Sequence, residues 1–313
     1  MIVCVAGSPS IDKLFQVERL SPGMIHRPEA FVQVPGGKGL NVARATAALG
    51  ARVTATGILG GHTGRWVAEA LAGEDVEGRF VWTGAETRSS LSVADHATGR
   101  LTEFYEDGQP VDDAAWGAME AVVGELLTQA SWLTMSGSLP PSAPADGYAR
   151  LVMIARAAGV ASALDARAEP LSLAVSSGPN VVKVNAAEAA ALLDEPVSSN
   201  DDALRAARSI VEASGGAGRA ALITRGADGA VLIAPDGSAW GGRLYVRGPY
   251  PVGSGDSFLA GLIVALHAGE SWPDALAAAL GAGTANAEVP GAGRLDPARA
   301  RELAGQARVT RLD

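Results

Sequence analysis

Short apolar, β-branched runs alternate with stretches of helical period along most of this 313-residue chain. Residues 2–6 read as a first strand. Residues 39–49 read as a helix stopped by Gly50. A strand at 52–58 and a helix at 64–72 follow. The alternation continues through 114–127, 132–135, 145–158 and 160–164, then through 181–184, 201–213 and 220–224. Strand and helix in turn predict the α/β class, a mostly parallel sheet with helices on both faces. The last segments, 255–267, 272–287 and 297–307, read as helix only.

Two stretches break this rhythm. Residues 13–17 with 30–34, and 89–94 with 100–105, alternate apolar and polar positions at period two. The second pair is joined by the turn-like Asp95-His96-Ala97-Thr98-Gly99. Half-exposed strands of this kind predict a small sheet apart from the main one. Such a sheet is either a lid that excludes water or a plain edge hairpin.

Composition narrows the class. Hydrophobic residues make up 48% and charged residues 19%, as in a folded globular enzyme. A net charge of −9 argues against a general nucleic-acid binder. One cysteine, Cys4, permits no internal disulfide. The opening Met1–Gly7 lacks a basic leader, and no apolar run is long enough to cross a bilayer. A cytoplasmic location with no membrane and no nucleic-acid partner is therefore expected. The scattered histidines His26, His62, His96 and His267 give a zinc cluster no support. The chain has no P-loop, no G-x-G-x-x-G and no G-x-S-x-G elbow.

Four segments carry candidate chemistry. Gly253-Ser254-Gly255-Asp256 is a glycine turn that opens a helix. Bare N–H groups there attract phosphate, and Asp256 is placed to take a proton from a hydroxyl. An acid in a first helical turn also simply stabilises the helix through its dipole, which favours the ionised form. Gly36-Gly37-Lys38-Gly39-Leu40-Asn41 is a second such turn, with a point charge and an amide suited to a polyol. It is equally the pattern of an ordinary strand-to-helix turn. Asn185 and Glu188 stand at the end of a strand, where parallel sheets bind ligands. Glu188 suits Mg²⁺ held through water, and the pair also suits a helix capping box. Arg88 after Thr87, and Arg27, offer guanidinium forks that match a phosphate or a solvated surface.

Read together, these segments resemble the ribokinase-like (PfkB) carbohydrate kinases over essentially the whole chain. The matches run in order: Gly36-Gly37-Lys38-Gly39-x-Asn41, Lys183-x-Asn185-x-x-Glu188, Thr224-x-Gly226-x-x-Gly229 and Gly253-x-Gly255-Asp256. Ser10-Ile11-Asp12, His26-Arg27, Thr87-Arg88 and Ser136-Gly137-Ser138-Leu139-Pro140-Pro141 point to the branch whose sugar already carries a phosphate. The resemblance implies a three-layer α/β/α core at 1–11, 36–86 and 107–313, with a discontinuous β lid at 12–35 and 87–106. It implies an ATP- and Mg²⁺-dependent kinase of D-fructose 1-phosphate. Tagatose 6-phosphate and fructose 6-phosphate come next. A kinase of an unphosphorylated sugar or nucleoside, and a non-catalytic sugar-phosphate sensor, are the other readings.

The resemblance also implies residue roles. Asp256 deprotonates the acceptor, and Gly253, Ser254 and Gly255 stabilise the transferring phosphoryl. Asp12, Gly36, Gly37 and Asn41 hold the sugar, while Arg88, Arg27, Lys38 and Ser138 hold its phosphate. Lys183, Asn185, Glu188, Thr224, Gly226 and Gly229 serve the nucleotide, with Asn286 near the adenine and Glu188 reaching the metal through water. A homodimer through the lid is expected. The chain departs from the family pattern at Ser254 for alanine, Val184 for proline and Ser90 for asparagine.

Overall fold

The computed structural model describes residues 1–312. The first half runs β1 (Ile2–Ala6), β2 (Ser10–Val17), β3 (Ala30–Gly36), α1 (Lys38–Ala48), β4 (Val53–Gly60), α2 (Gly61–Ala72), β5 (Glu77–Thr83), β6 (Ser89–Asp95), β7 (Arg100–Tyr105), α3 (Asp113–Leu127) and β8 (Trp132–Ser136). The second half adds α4 (Gly147–Ala157), β9 (Ala161–Asp165), α5 (Ala168–Ser176), β10 (Val181–Asn185), α6 (Ala186–Leu193), α7 (Asn200–Ala213) and β11 (Ala220–Thr224). It closes with β12 (Ala230–Ile233), β13 (Ala239–Arg243), α8 (Ser254–His267), α9 (Trp272–Ala287), α10 (Pro297–Gln306) and β14 (Arg308–Leu312).

Ten strands form one sheet in the order β14-β13-β12-β11-β10-β9-β8-β1-β4-β5. From β5 to β11 the neighbours are parallel, so their C-terminal ends share one edge. The core explains the apolar runs. On β1, Ile2, Cys4 and Ala6 pack with residues of α1, α8 and α9, and Val3 and Val5 pack with residues of α3 and α4. Both faces are covered, so the strand is apolar throughout rather than alternating.

A second sheet holds four strands in the order β3-β2-β6-β7. Its strands are the two period-two pairs of the sequence, extended by a few residues. Here one face is packed and β7 is almost wholly exposed, so the alternation survives. Each chain crossing into this sheet leaves the C-terminal edge of the main one, after β1 and after β5.

The end of the chain differs from the all-helical expectation. Beyond α10, Arg308–Leu312 pairs antiparallel with β13, which pairs antiparallel with β12. Edge strands need little apolar patterning, and the arginines of β14 keep the open edge charged. Among the described residues no helix is long and apolar enough to cross a membrane.

Candidate active site

Three parallel strands end in polar residues at one place: Asp165 closes β9, Asn185 closes β10 and Thr224 closes β11. Facing them are the N-termini of α1 and α8 and the inner rim of the small sheet. They enclose a cavity of about 950 Å³. It takes residues from segments as distant as Asp12 and Ala287.

The turn before α8 forms the cavity floor. Gly253 is held at φ 81, which a side chain resists, and a Cβ there would stand 2.6 Å from that of Ala292. Ser254 N–H donates to Pro251 and Asp256 N–H to Gly253. The N–H groups of Gly253 and Gly255 are left without a protein acceptor among the described residues. The Ser254 hydroxyl is buried and equally unpartnered. This is an amide-lined hollow at a helix start, the geometry that binds phosphate.

Asp256 sits beside the hollow, 5% exposed, and accepts a 2.8 Å hydrogen bond from Asn41 Nδ2. Burial pushes its carboxyl up to about 7, with repulsion from Asp165 adding to the effect. The helix start was expected to hold this acid ionised, and desolvation outweighs the dipole. An acid that titrates near neutrality is well matched to general-base work.

Behind Asp256 lies a buried ion network. Asp165, fully buried, accepts from Lys38 Nζ at 2.8 Å and from Lys183 Nζ at 2.6 Å. Lys38 also reaches Glu188 at 3.1 Å. Burial opposes the charge on Lys38, but Asp165, Glu188 and Asp256 outweigh it and hold the ammonium above the usual lysine range. Burial likewise opposes charge on Asp165, and the two lysines overcome it to hold the carboxylate below its usual range.

The glycine turn before α1 shapes the sugar-facing wall. Gly36 is needed because Asp12 lies against it: a Cβ would fall 2.0 Å from the Asp12 carboxyl carbon. That carboxylate accepts from Ser10 Oγ at 2.6 Å and Gly37 N–H at 3.3 Å. Arg88, half-buried at the opposite rim, donates to Ser8 Oγ at 2.9 Å, Ser8 carbonyl at 3.1 Å and Ser90 Oγ at 3.1 Å. A fourth, longer bond goes to the Glu106 carbonyl at 3.4 Å; all these acceptors are neutral, so its charge is not cancelled by a direct ion pair. Burial pulls Arg88 below the usual guanidinium range, against the pull of Asp12.

Asn185 and Glu188 do form the capping box, with Asn185 Oδ1 accepting from Glu188 N–H at 2.8 Å and Glu188 Oε2 from Asn185 N–H at 2.9 Å. They nevertheless line the cavity together with Lys183, Thr224, Gly226 and Gly229. The capping box raised by the sequence is present. No group of three potential metal ligands is gathered among the described residues. Glu188, like Asp12, is a half-buried carboxylate on the cavity wall with no cluster of further ligands around it, a donor that fits hydrated Mg²⁺ rather than a dehydrated metal centre.

Of the site residues expected from sequence, three do not line the cavity. Gly36 lies behind Asp12. Arg27 is exposed on the loop between β2 and β3. Asn286 is fully buried, accepting from Ser257 Oγ at 2.9 Å and Gly293 N–H at 2.8 Å and donating to Val252 carbonyl at 2.9 Å. Its amide braces the Gly253 turn from behind and is not part of the cavity wall. The remaining expected residues, including Ser138, converge. Asp165, Arg167, Ser8 and Glu86 were not anticipated. Glu86 accepts from His62 N–H at 3.0 Å and Thr63 N–H at 2.9 Å, which ties the segment before Arg88 to the start of α2.

The profile of the pfkB family carbohydrate kinases matches residues 2–299. The chain belongs to that family. It is 32% identical to 1-phosphofructokinase of Rhodobacter capsulatus over 276 residues, 86% of this chain and 84% of that one. Phosphofructokinase-2 from Escherichia coli, solved with substrates and products, superposes with TM-score 0.89 at 28% identity, covering 97% of this chain and 98% of that one. Ribokinase from Arabidopsis thaliana, at 22% identity, shares the fold with TM-score 0.79 over 97% of this chain and 98% of that one. The protein is thus a pfkB-family phosphotransferase that uses an alcohol group as acceptor, on a ribokinase-like α/β fold.

Proposed function

We propose that this enzyme transfers the γ-phosphoryl group of ATP to a hydroxyl of a hexose phosphate, D-fructose 1-phosphate before all others, giving fructose 1,6-bisphosphate. One observation carries the reading. Asp256 and the empty-handed amides of Gly253 and Gly255 share a cavity with Arg88, whose charge meets only neutral acceptors. A base, an anion hollow and a free guanidinium together suit an acceptor that is itself an anion. A neutral sugar leaves Arg88 without a partner, and a sensor needs no base.

In this reading Asp256 takes the proton of the attacking hydroxyl, and Asn41 fixes the carboxylate that does so. Asp12 and Gly37 hold sugar hydroxyls, with Gly36 making room for Asp12. Arg88 and Ser138 hold the substrate's phosphate. Lys38, tied to Asp165 and Glu188, adds positive charge beside the hollow. ATP enters with Mg²⁺, which supplies charge neutralisation to its phosphates. Lys183, Thr224, Gly226 and Gly229 line the nucleotide side, and Glu188 and the helix capped by Asn185 face the hydrated metal. The parallel core at 1–11, 36–86 and 107–313 carries the chemistry, and the β sheet of 12–35 and 87–106 excludes water as a lid. The small-sheet segments leave Met24, Ile25, Phe31 and Phe104 exposed, apolar side chains that suit pairing of two lids in a homodimer.

An ADP-release assay with fructose 1-phosphate, fructose 6-phosphate, tagatose 6-phosphate, ribose and fructose tests the proposal. The expected result is the highest kcat/KM with fructose 1-phosphate and poor turnover of the neutral sugars. Preference for a neutral sugar would overturn it. Fructose 6-phosphate or tagatose 6-phosphate ranking first would correct the hexose and keep the class.

A further inference from the structure

Arg167 is a second cavity-lining guanidinium that none of the roles above employs. It stands at the junction of β9 and α5, on the core side, opposite the small-sheet strand that carries Arg88. Every ion pair among the described residues is made by other cations. Its charge is felt at Arg88 as repulsion. It is also the residue at the N-terminus of α5, which has no side-chain cap, so the positive end of a helix lies beside it. Of the carboxylates at or behind the cavity wall, Asp107 makes no ion pair with Arg167, and three more are otherwise engaged. Asp165 is held by two lysines, Asp12 by Ser10 and Gly37, and Glu106 Oε2 accepts from Ser89 N–H at 2.7 Å.

The chain also holds Arg167 there at a cost. Ala168, the next residue, has φ 56, in the left-handed region that residues with a side chain avoid. Two guanidiniums and a helix N-terminus that converge on one cavity, with no carboxylate ion-paired to either arginine, make a site for a dianion.

We propose that Arg167 is a phosphate-binding residue for the acceptor sugar, closing on its phosphoryl group from the core while Arg88 holds it from the small sheet. The bound phosphate then bridges the two sheets. A phosphorylated sugar pulls the small sheet over the cavity, and a neutral sugar of the same shape does not. The inference rests on the hexose-phosphate reading and deepens it by assigning the specificity for a dianion to a pair of residues on opposite walls.

The test compares wild type, Arg167→Met and Arg167→Lys in the ADP-release assay, with KM read separately for the best phosphosugar and for ATP. Arg167→Met is expected to raise KM for the phosphosugar about 10–100-fold, the range of a lost charge-assisted contact, and to leave KM for ATP within about twofold. Arg167→Lys should recover part of the loss, since it keeps the charge without the fork. An unchanged phosphosugar KM in Arg167→Met overturns the inference and leaves the hexose-phosphate reading standing. A rise confined to ATP overturns it in favour of a nucleotide contact. Wild type that turns over neutral sugars alone removes the reading first and this assignment with it.

Discussion

The floor and the rim of the cavity treat charge in opposite ways. On the floor, Lys38, Lys183, Asp165 and Glu188 are drawn into one network with contacts of 2.6–3.1 Å. At the rim, Arg88 bonds only to serine hydroxyls and the backbone carbonyls of Ser8 and Glu106, and Arg167 has no ion-pair partner among the described residues. The floor's charges are paired with one another before any ligand arrives. The rim carries net positive charge that a ligand must complete. A site for phosphoryl transfer needs both, because preorganised dipoles stabilise the transferring group while an open charge selects the substrate.

The comparison breaks most sharply at Asp256. Replacing it by asparagine keeps the size and the contact with Asn41 but removes the base, so kcat is expected to fall by about 10²–10⁴-fold with KM for ATP little changed. Stability should move the other way. Burial raises the folded-state pKa to about 7, so between the ordinary carboxylate value of 3.8 and about 7 the folded chain binds more protons than the unfolded one. Stability contributed by this group is present at the acid end and lost as pH rises through that window. At pH 8 the asparagine variant is therefore expected to melt no lower than wild type. A normal kcat, or a melting temperature well below wild type, would count against Asp256 as a buried base.

Asp165 comes next. It holds two ammonium groups, and Asp165→Asn leaves both with one charge partner fewer in a buried setting. Breaking a buried pair from one side costs about 3–5 kcal/mol. The expected outcome is a large drop in the denaturation midpoint together with loss of activity, whereas Arg88→Met at the rim should change activity with little effect on stability. Similar stability losses at both positions would erase the contrast between floor and rim.

This contrast was only half visible in the sequence. The glycine turns, Asp256, Lys38 and Arg88 are legible because glycine at a strand-to-helix junction has a local cause, and local causes leave local patterns. The parallel core is legible for the same reason, since a strand buried on both faces is apolar at every position. Asp165 is not legible. Nothing around Leu164-Asp165-Ala166 marks it, and its role arises from lysines 127 and 18 residues away that the fold brings to it. Asn286 shows the reverse: an amide placed near the nucleotide by resemblance is buried off the cavity and bonded to Ser257, Gly293 and Val252. After Thr224, β12 escapes because its buried apolar run is only four residues long, and β13 and β14 because they are short and partly open to solvent, where packing writes little into the pattern.

The pH dependence sharpens the floor. If Asp256 must be ionised to act, log(kcat/KM) should fall with unit slope as pH drops below about 7. The substrate's phosphate titrates in the same range, so the profile should be repeated with Arg88→Met. Weakening the rim lowers the whole curve without moving the midpoint if the midpoint belongs to Asp256. A midpoint that shifts with the rim variant would assign it to the bound phosphate instead.

The smallest expected effect lies at the rim, in Ala168. A left-handed conformation costs a residue with a Cβ about 1–2 kcal/mol, and glycine adopts it freely while losing about 0.5–1 kcal/mol to its own flexibility. Ala168→Gly should therefore be neutral to mildly stabilising, by about 1 kcal/mol or less. That stability readout alone establishes the strain. Its consequence for the site is read from KM. A strained alanine restricts the loop that presents Arg167, and a glycine lets it wander, so KM for the phosphosugar should rise by about twofold while KM for ATP stays fixed. The floor offers the control: at Gly255 an added Cβ would stand 3.0 Å from Lys183 Nζ and push on an ammonium held by Asp165, so Gly255→Ala should lower kcat. If Ala168→Gly destabilised the protein, the alanine methyl would be making a contact that matters more than its backbone strain. The rim would then be as tightly built as the floor.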